Sequence, residues 1–393
     1  MKNVRPIRCL LAALAIAAAG GALAQTQTQG VSKDEILLGT LQDLSGPLAG
    51  YGKDLRNGML QRIAEANEKG GVHGRKLKLL VEDSGYDPRK SVLAAQKLVN
   101  QEKIFVMAGS LGTGVNNAAL PVQASKNVMN FFPAALSRDM YEPTSKLKFA
   151  FLSSYYDQIL PTSARLYKEK KAQKPCIIYQ DDEYGLEILR GVEAGLKTVD
   201  ATLVEKTSFK RGATDFSSQV ARLKAAGCDF VVTGTLIRET VGTINEARKL
   251  DFNPTFLGAF GTYTDLIHKL GGKGMDGFYS TMTVQHPYED TAPEALKPWM
   301  GRYRAQFNEA PSAYSIYGYV ILDRLVTALD KAGPQLDADA LVRSVESLST
   351  PVDMFGMPEL SFSPDKHLGS NRARLSQIQD GRWKVVLDYD QMQ

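Results

Sequence analysis

The sequence predicts a parallel α/β protein folded as two doubly wound lobes, and three observations carry that reading. From Ile36 onward short apolar runs alternate with amphipathic ones, the pattern of a parallel sheet covered on both faces. At 393 residues the chain is longer than one hydrophobic core supports, so two domains are expected. The end of a leading strand is also echoed: Tyr51-Gly52 follows one such strand and Tyr184-Gly185 follows another.

In chain order, strands are expected at 36–41, 77–81, 104–108 and 149–152, with helices at 55–68, 90–100 and 116–125. In the first helix Leu55, Met59, Ile63 and Asn67 recur every four residues, as one buried stripe requires. The second half repeats the plan, with helices at 159–170, 186–197, 216–225 and 239–249 and strands at 177–179, 230–233 and 256–257. Past Gly277 the alternation stops. A strand at 277–283 precedes helices near 293–307, 317–332 and 338–348, and a hairpin around Asp380-Gly381 joins strands at 373–378 and 383–387. Such late helices complete one lobe and the final strands the other.

Composition narrows the function. With 44% hydrophobic and 23% charged residues the chain is ordinary globular protein, not a disordered one. Lys2, Arg5 and Arg8 lie in an export leader that holds no acid; removing three of the 47 basic residues leaves 44 against 43 acidic ones, or +1. That balance excludes a bulk electrostatic attraction to nucleic acid or anionic lipid. The leader itself runs from its basic segment through the apolar residues 10–19 to Ala22-Leu23-Ala24, with cleavage expected after Ala24, so 1–24 is a signal peptide. Its apolar run is too short for a span, which needs about 20 residues. Cys9 precedes that run, which argues against a lipoprotein. Cys176 and Cys228 remain, as one disulfide or as two buried thiols; both readings stand.

Catalytic equipment is missing. There is no Gly-x-x-x-x-Gly-Lys-Ser/Thr loop, no dinucleotide fingerprint, no Gly-x-Ser-x-Gly elbow and no His-Glu-x-x-His helix. The four histidines, His73, His268, His286 and His367, read as solvated surface, and no Cys/His spacing suits a metal. No cofactor is expected, and an exported α/β hydrolase is the discounted alternative. The Gly109-to-Gly114 loop, by contrast, suits an anion: small residues bare backbone N–H groups, Thr113 adds a hydroxyl, and a helix starting near Asn116 directs its positive end there. Plain tight turns are the bland reading. The two Tyr-Gly pairs, likewise, are either helix-entry punctuation or tyrosines on the two walls of a cleft beyond the strand ends.

Together these residues resemble the periplasmic Leu/Ile/Val-binding proteins, substrate-binding components of ABC importers. The resemblance rests on Leu44-Ser45-Gly46-Pro47 with Tyr51-Gly52, Asn67 with the segment from Gly70 to Arg75, Glu82-Asp83 with Asp87-Pro88, Pro133-Ala134-Ala135, and Tyr184-Gly185. It runs from about Ile36 to Gly258 and more loosely to the end. It implies the type I periplasmic-binding-protein fold: one lobe of 33–152 plus 284–373, another of 153–283 plus 374–393, and a hinge of three crossings near Ser153, Thr283 and Arg374. It also implies a periplasmic monomer that passes a ligand transiently to ABC permease subunits at the inner membrane. A sensory receptor as partner is not separated from a permease by sequence.

In that family a hydroxyl residue in the loop matching Gly112-Thr113, and backbone groups matching Ala134 and Leu136, hold the ligand carboxylate. Tyr51 and Tyr184 match aromatic cleft positions. Two departures stand out. The family's small disulfide would join the positions of Tyr86 and Gly112, and neither is cysteine. The acid that receives a ligand ammonium aligns with Phe260, and a buried ammonium without a carboxylate is costly. Unless a neighbour such as Asp157 takes that role, the expected ligand is a small carboxylate with an apolar or aromatic body and no amine. Tyr51, Tyr155, Tyr184 and Phe260, with Tyr314 a further candidate, would enclose it. A true branched-chain or other amino-acid binder is the alternative.

Overall fold

A computed structural model describes residues 28–391; the leader and its cleavage site lie outside them. The first sheet is parallel throughout. It contains β1 (Glu35–Gln42), β2 (Lys76–Asp83), β3 (Val106–Ala108), β4 (Met129–Phe131) and β5 (Lys148–Phe149) in the order β2-β1-β3-β4-β5. Its first connections are α1 (Ala49–Glu68), α2 (Pro88–Gln96) and α3 (Thr113–Ala124). Leu55, Met59 and Ile63 form the buried stripe of α1, each worth about 1.5–3 kcal/mol of apolar burial.

After β5 the chain enters the second lobe. There α4 (Tyr155–Glu169), β6 (Pro175–Gln180), α5 (Glu183–Lys197), β7 (Glu205–Phe209) and α6 (Ser217–Ala225) are followed by β8 (Phe230–Gly234), α7 (Ile237–Lys249), β9 (Thr255–Gly258), α8 (Asp265–Gly271) and β10 (Tyr279–Met282). The chain then returns to pack α9 (Lys297–Phe307), α10 (Ala313–Ala332) and α11 (Ala338–Glu346) on the first lobe. It forms the short pair β11 (Ser349–Thr350) and β12 (Leu360–Ser361), and ends with β13 (Arg374–Gln379) and β14 (Arg382–Leu387). The second sheet has the order β14-β13-β10-β9-β8-β6-β7, antiparallel only at its β10-β13-β14 edge. In each sheet the strand order reverses direction at the first strand of the lobe, between β1 and β3 and between β6 and β8. Open α/β sheets bind ligands outside the carboxyl ends at such points.

Several helices begin earlier than the periodicity predicts, most of them at the cleft. α1 starts at Ala49, α3 at Thr113, α4 at Tyr155, α5 at Glu183 and α10 at Ala313. Their first turns carry buried tyrosines and glycines, so no polar face remains to show a helical period. Both Tyr-Gly pairs therefore sit inside a first turn rather than before it. Capping side chains mark the true starts: Asp182 accepts from the Tyr184 and Gly185 N–H groups, and Ser312 forms a capping box with Ser315. Strand β4, strand β7 with its polar exposed residues, the short pair β11 and β12, and the short α8 are absent from the expected elements.

Two histidines also correct the surface reading. His367 is buried, stacked on Phe149 at 3.9 Å with Nδ1 against the Ser145 and Lys148 carbonyls, and the His286 side chain is only 8% exposed, beside Tyr288. Cys176 and Cys228 form a disulfide, which ties β6 to the turn entering its neighbour β8.

Candidate functional site

The site is built by the strand ends and the helices that leave them. Asp43, just past β1, accepts from the Gly46 and Leu48 N–H groups at 2.6 and 2.7 Å, and Asp83, at the end of β2, holds Leu44 and Ser45. This pins the Leu44-to-Pro47 loop and sets the entry of α1. Helix α10 then lies very close to α1: a Cβ on Gly58 would stand 1.9 Å from the Ser315 carbonyl oxygen, and one on Gly318 2.0 Å from that of Leu55. The approach stacks the rings of Tyr51 and Tyr314 at 4.0 Å.

All eight residues singled out by sequence meet around one cavity between the lobes: Tyr51, Gly112, Thr113, Ala134, Leu136, Tyr155, Tyr184 and Phe260. Tyr314 lines it as well. Sequence reasoning missed Tyr86, Tyr317, Phe151 and Leu236. Tyr317 stands one helical turn beyond Tyr314, so the spacing on α10 could have revealed it. Tyr86 follows the end of β2 in a left-handed backbone conformation, φ 56°, a tight turn at a strand mouth.

Chemically the two ends of the cavity differ. At one end α3 starts on Gly112, whose φ of 100° suits glycine and whose N-cap role leaves no side chain to satisfy the first N–H groups. The Thr113 hydroxyl is buried with no hydrogen bond of normal geometry among the described residues, and the Tyr155 hydroxyl stands near enough to it and to the Leu136 N–H to feel both. An orphaned hydroxyl of this kind costs about 1–3 kcal/mol unless something answers it. Ala134 differs from the expectation for it: its N–H donates to the Ser110 carbonyl and its own carbonyl accepts from Gly112, so it contributes wall rather than free donors.

At the other end stands aromatic surface. Phe260, in a short turn after β9, lies 5.0 Å from Tyr317 and 6.3 Å from Tyr314, ring centre to ring centre. The Tyr51 hydroxyl donates across the cleft to the Gly261 carbonyl at 2.7 Å, whereas the Tyr184 hydroxyl donates to the Thr235 carbonyl at 2.9 Å within its own lobe. Among the described residues no aspartate, glutamate, lysine, arginine or histidine lines the cavity. Burial raises the tyrosine pKa values, to about 12 for Tyr155 and for Tyr317, so the lining carries no ionised phenol near neutral pH.

Asp157 does not enter this cavity. Its carboxylate accepts from Ser154 Oγ at 2.8 Å and from the Tyr141 hydroxyl at 3.2 Å, and it lines a separate pocket beside Tyr389 behind the crossings. Glu239, buried on α7, is close enough to Tyr51 to act on it electrostatically, but it is paired with Arg238 at 3.1 Å and is not part of the lining.

Fold and cavity together define a two-lobed protein that encloses a small molecule between its strand ends. The periplasmic binding protein family matches residues 35–382, and the chain belongs to it. The Leu/Ile/Val-binding protein of Escherichia coli K12 is 28% identical over 331 residues, covering 84% of this chain and 86% of that one. Among solved structures, a fatty acid ABC transporter substrate-binding protein from Thermomonospora curvata superposes with a TM-score of 0.83 at 22% identity, over 92% of this chain and 94% of that one. A solute-binding protein from R. palustris in complex with benzoate superposes with a TM-score of 0.79 at 15% identity, over 90% and 96%. The protein is thus a periplasmic binding protein, similar in sequence to the Leu/Ile/Val-binding proteins.

Proposed function

We propose that this protein is exported, loses its leader after Ala24, and as a periplasmic monomer captures a small carboxylate with an apolar or aromatic body and no amine for delivery to an ABC permease. One observation carries the choice of ligand: the Thr113 hydroxyl has no hydrogen bond of normal geometry, and among the described residues no carboxylate stands in the cavity lining. A ligand carboxylate would answer Thr113 and Leu136, while an ammonium would be buried without a counter-charge. The lobes 33–152 with 284–373, and 153–283 with 374–393, would close on it by bending near Ser153, Thr283 and Arg374. Calorimetry against benzoate-type acids, keto acids, leucine and valine tests the reading. Tight binding of benzoate or a keto acid with no heat from leucine is expected; tight leucine or valine binding with silence from the acids overturns it. A branched-chain amino-acid ligand is the second reading, favoured by the buried Glu239 near Tyr51 and by the names of the relatives.

A further inference from the structure

Two ion-pair groupings bridge the lobes, and both grip the parts of the first lobe that form the donor end of the cavity. The first centres on Arg211, in the loop after β7. Its Nη1 donates to the Tyr86 carbonyl at 2.8 Å, its guanidinium lies 4.6 Å above the Tyr86 ring, and its Nη2 pairs with Asp182 at 2.6 Å. Tyr86 lines the cavity, and its ring edge fills the space over Gly112, 2.7 Å from where a Cβ would stand. Arg211 and Glu183 also lie against the first turn of α3: a Cβ on Gly114 would come within 3.0 Å of Arg211 Nη2 and 3.2 Å of Glu183 Oε2.

The second grouping flanks Leu136. Arg138, two residues on, donates through Nε to Glu187 Oε1 at 2.7 Å, and its backbone N–H reaches the same oxygen at 3.3 Å. The guanidinium sits 3.8 Å over the Tyr156 ring. Glu187 is only 2% exposed and is also paired by Arg190 at 3.4 Å. Asp182 and Glu187 both belong to α5, one as its N-cap and one in its second turn, and α5 also carries Tyr184 into the cavity.

We propose that α5 is a closing clamp, with Arg211 and Glu187 as positioning residues that hold the second lobe onto the donor end and set the rate of ligand release. The inference rests on the carboxylate reading for its choice of probe only. Tyr86 explains the coupling: one side of the ring faces the cavity and Gly112 while a face carries the guanidinium, so what seats the ring from within also seats Arg211 from without. The two acids are shielded from bulk water while the guanidiniums are partly exposed, and burial of one partner strengthens a charge-assisted hydrogen bond. Opening the lobes breaks the Arg138–Glu187 pair and the Arg211–Tyr86 contacts, and most of their effect therefore falls on dissociation rather than association.

The test uses the full mature chain with Arg211→Gln, Glu187→Gln, the double substitution and Arg211→Lys. Stopped-flow measurement of benzoate release should show roughly tenfold faster dissociation for each Gln variant and more for the pair, with association nearly unchanged. Arg211→Lys should restore only part, because lysine cannot serve the Tyr86 carbonyl and Asp182 as a fork. Small-angle scattering without ligand, which depends on no ligand assignment, should show a larger radius of gyration for the double variant at unchanged melting temperature. Faster release with unaltered association, or that larger radius, supports the clamp. Equal release rates with equal radii overturn it. Should benzoate fail to bind the unsubstituted protein, the carboxylate reading falls, and the radii alone decide the clamp, equality sinking it.

Discussion

The two ends of the cavity are built from the same kinds of element, a strand mouth and a helical turn, yet they are polar and unsatisfied at one end and aromatic and satisfied at the other. At the donor end α3 presents Thr113, whose hydroxyl makes no hydrogen bond of normal geometry among the described residues and has the Tyr155 hydroxyl for a neighbour. At the aromatic end the Gly261 carbonyl accepts from Tyr51, and Phe260 lines the wall beside it. The difference teaches where selectivity lies. Buried polar groups left without partners reject ligands that cannot answer them, and an apolar wall rejects charge.

The sharpest way to break this asymmetry is Phe260→Glu, which places a carboxylate on the apolar wall. Binding of an amine-free acid should weaken by about 3 kcal/mol or more, read by calorimetry, because a second anion is then buried beside the first. Unaltered affinity would show that Phe260 does not face the ligand. A second contrast sets the charge-free lining against Asp54, which lies outside it on α1, one turn beyond Tyr51. Burial pushes its pKa up to about 7, helped by Glu309 and Asp265 and opposed by the hydrogen bond from Ser312 and by Lys53. A raised carboxylate pKa stabilises the fold below the ordinary value of 3.8, and that contribution is lost as pH rises through about 7. Asp54→Asn should therefore add about 2 kcal/mol at pH 8 and little at pH 4, a figure reduced because the carboxylate is only partly buried. Thermal melts at the two pH values check it, and equal gains at both would remove the linkage.

Thr113→Ala tests the donor end directly and should weaken carboxylate binding by about 1–2 kcal/mol, with an unchanged dissociation constant removing Thr113 from the site. The smallest expected effect separates the two tyrosines. Tyr51→Phe removes a hydrogen bond between lobes and should cost about 1 kcal/mol in ligand affinity, while Tyr184→Phe removes one within a lobe and should lower the melting temperature instead. Identical profiles for the two variants would erase the distinction.

Much of the cavity was legible because its residues sit where chain punctuation is strongest. Gly112-Thr113, Tyr51-Gly52 and Tyr184-Gly185 all stand just after apolar runs, and strand ends are where an α/β sheet binds. Tyr86 and Tyr317 carried no such mark, one isolated in a turn and the other inside a helix already counted as core. The free state of Thr113 and the engaged state of Ala134 were equally hidden, because both depend on which carbonyl of a distant loop comes within reach.

The α/β alternation of most strands and helices, and the absence of catalytic motifs and of an acid at position 260, were determined by the sequence alone, since they follow from local periodicity and residue identity. Pairing Cys176 with Cys228, turning Asp157 away from the cleft and sending the Tyr51 hydroxyl to Gly261, 210 residues away, were decided only by tertiary structure. The physical reason is range. Helical and strand patterns are set by neighbours a few residues apart, whereas hydrogen bonds, ion pairs and burial across a cleft depend on how two separately wound sheets come to face each other.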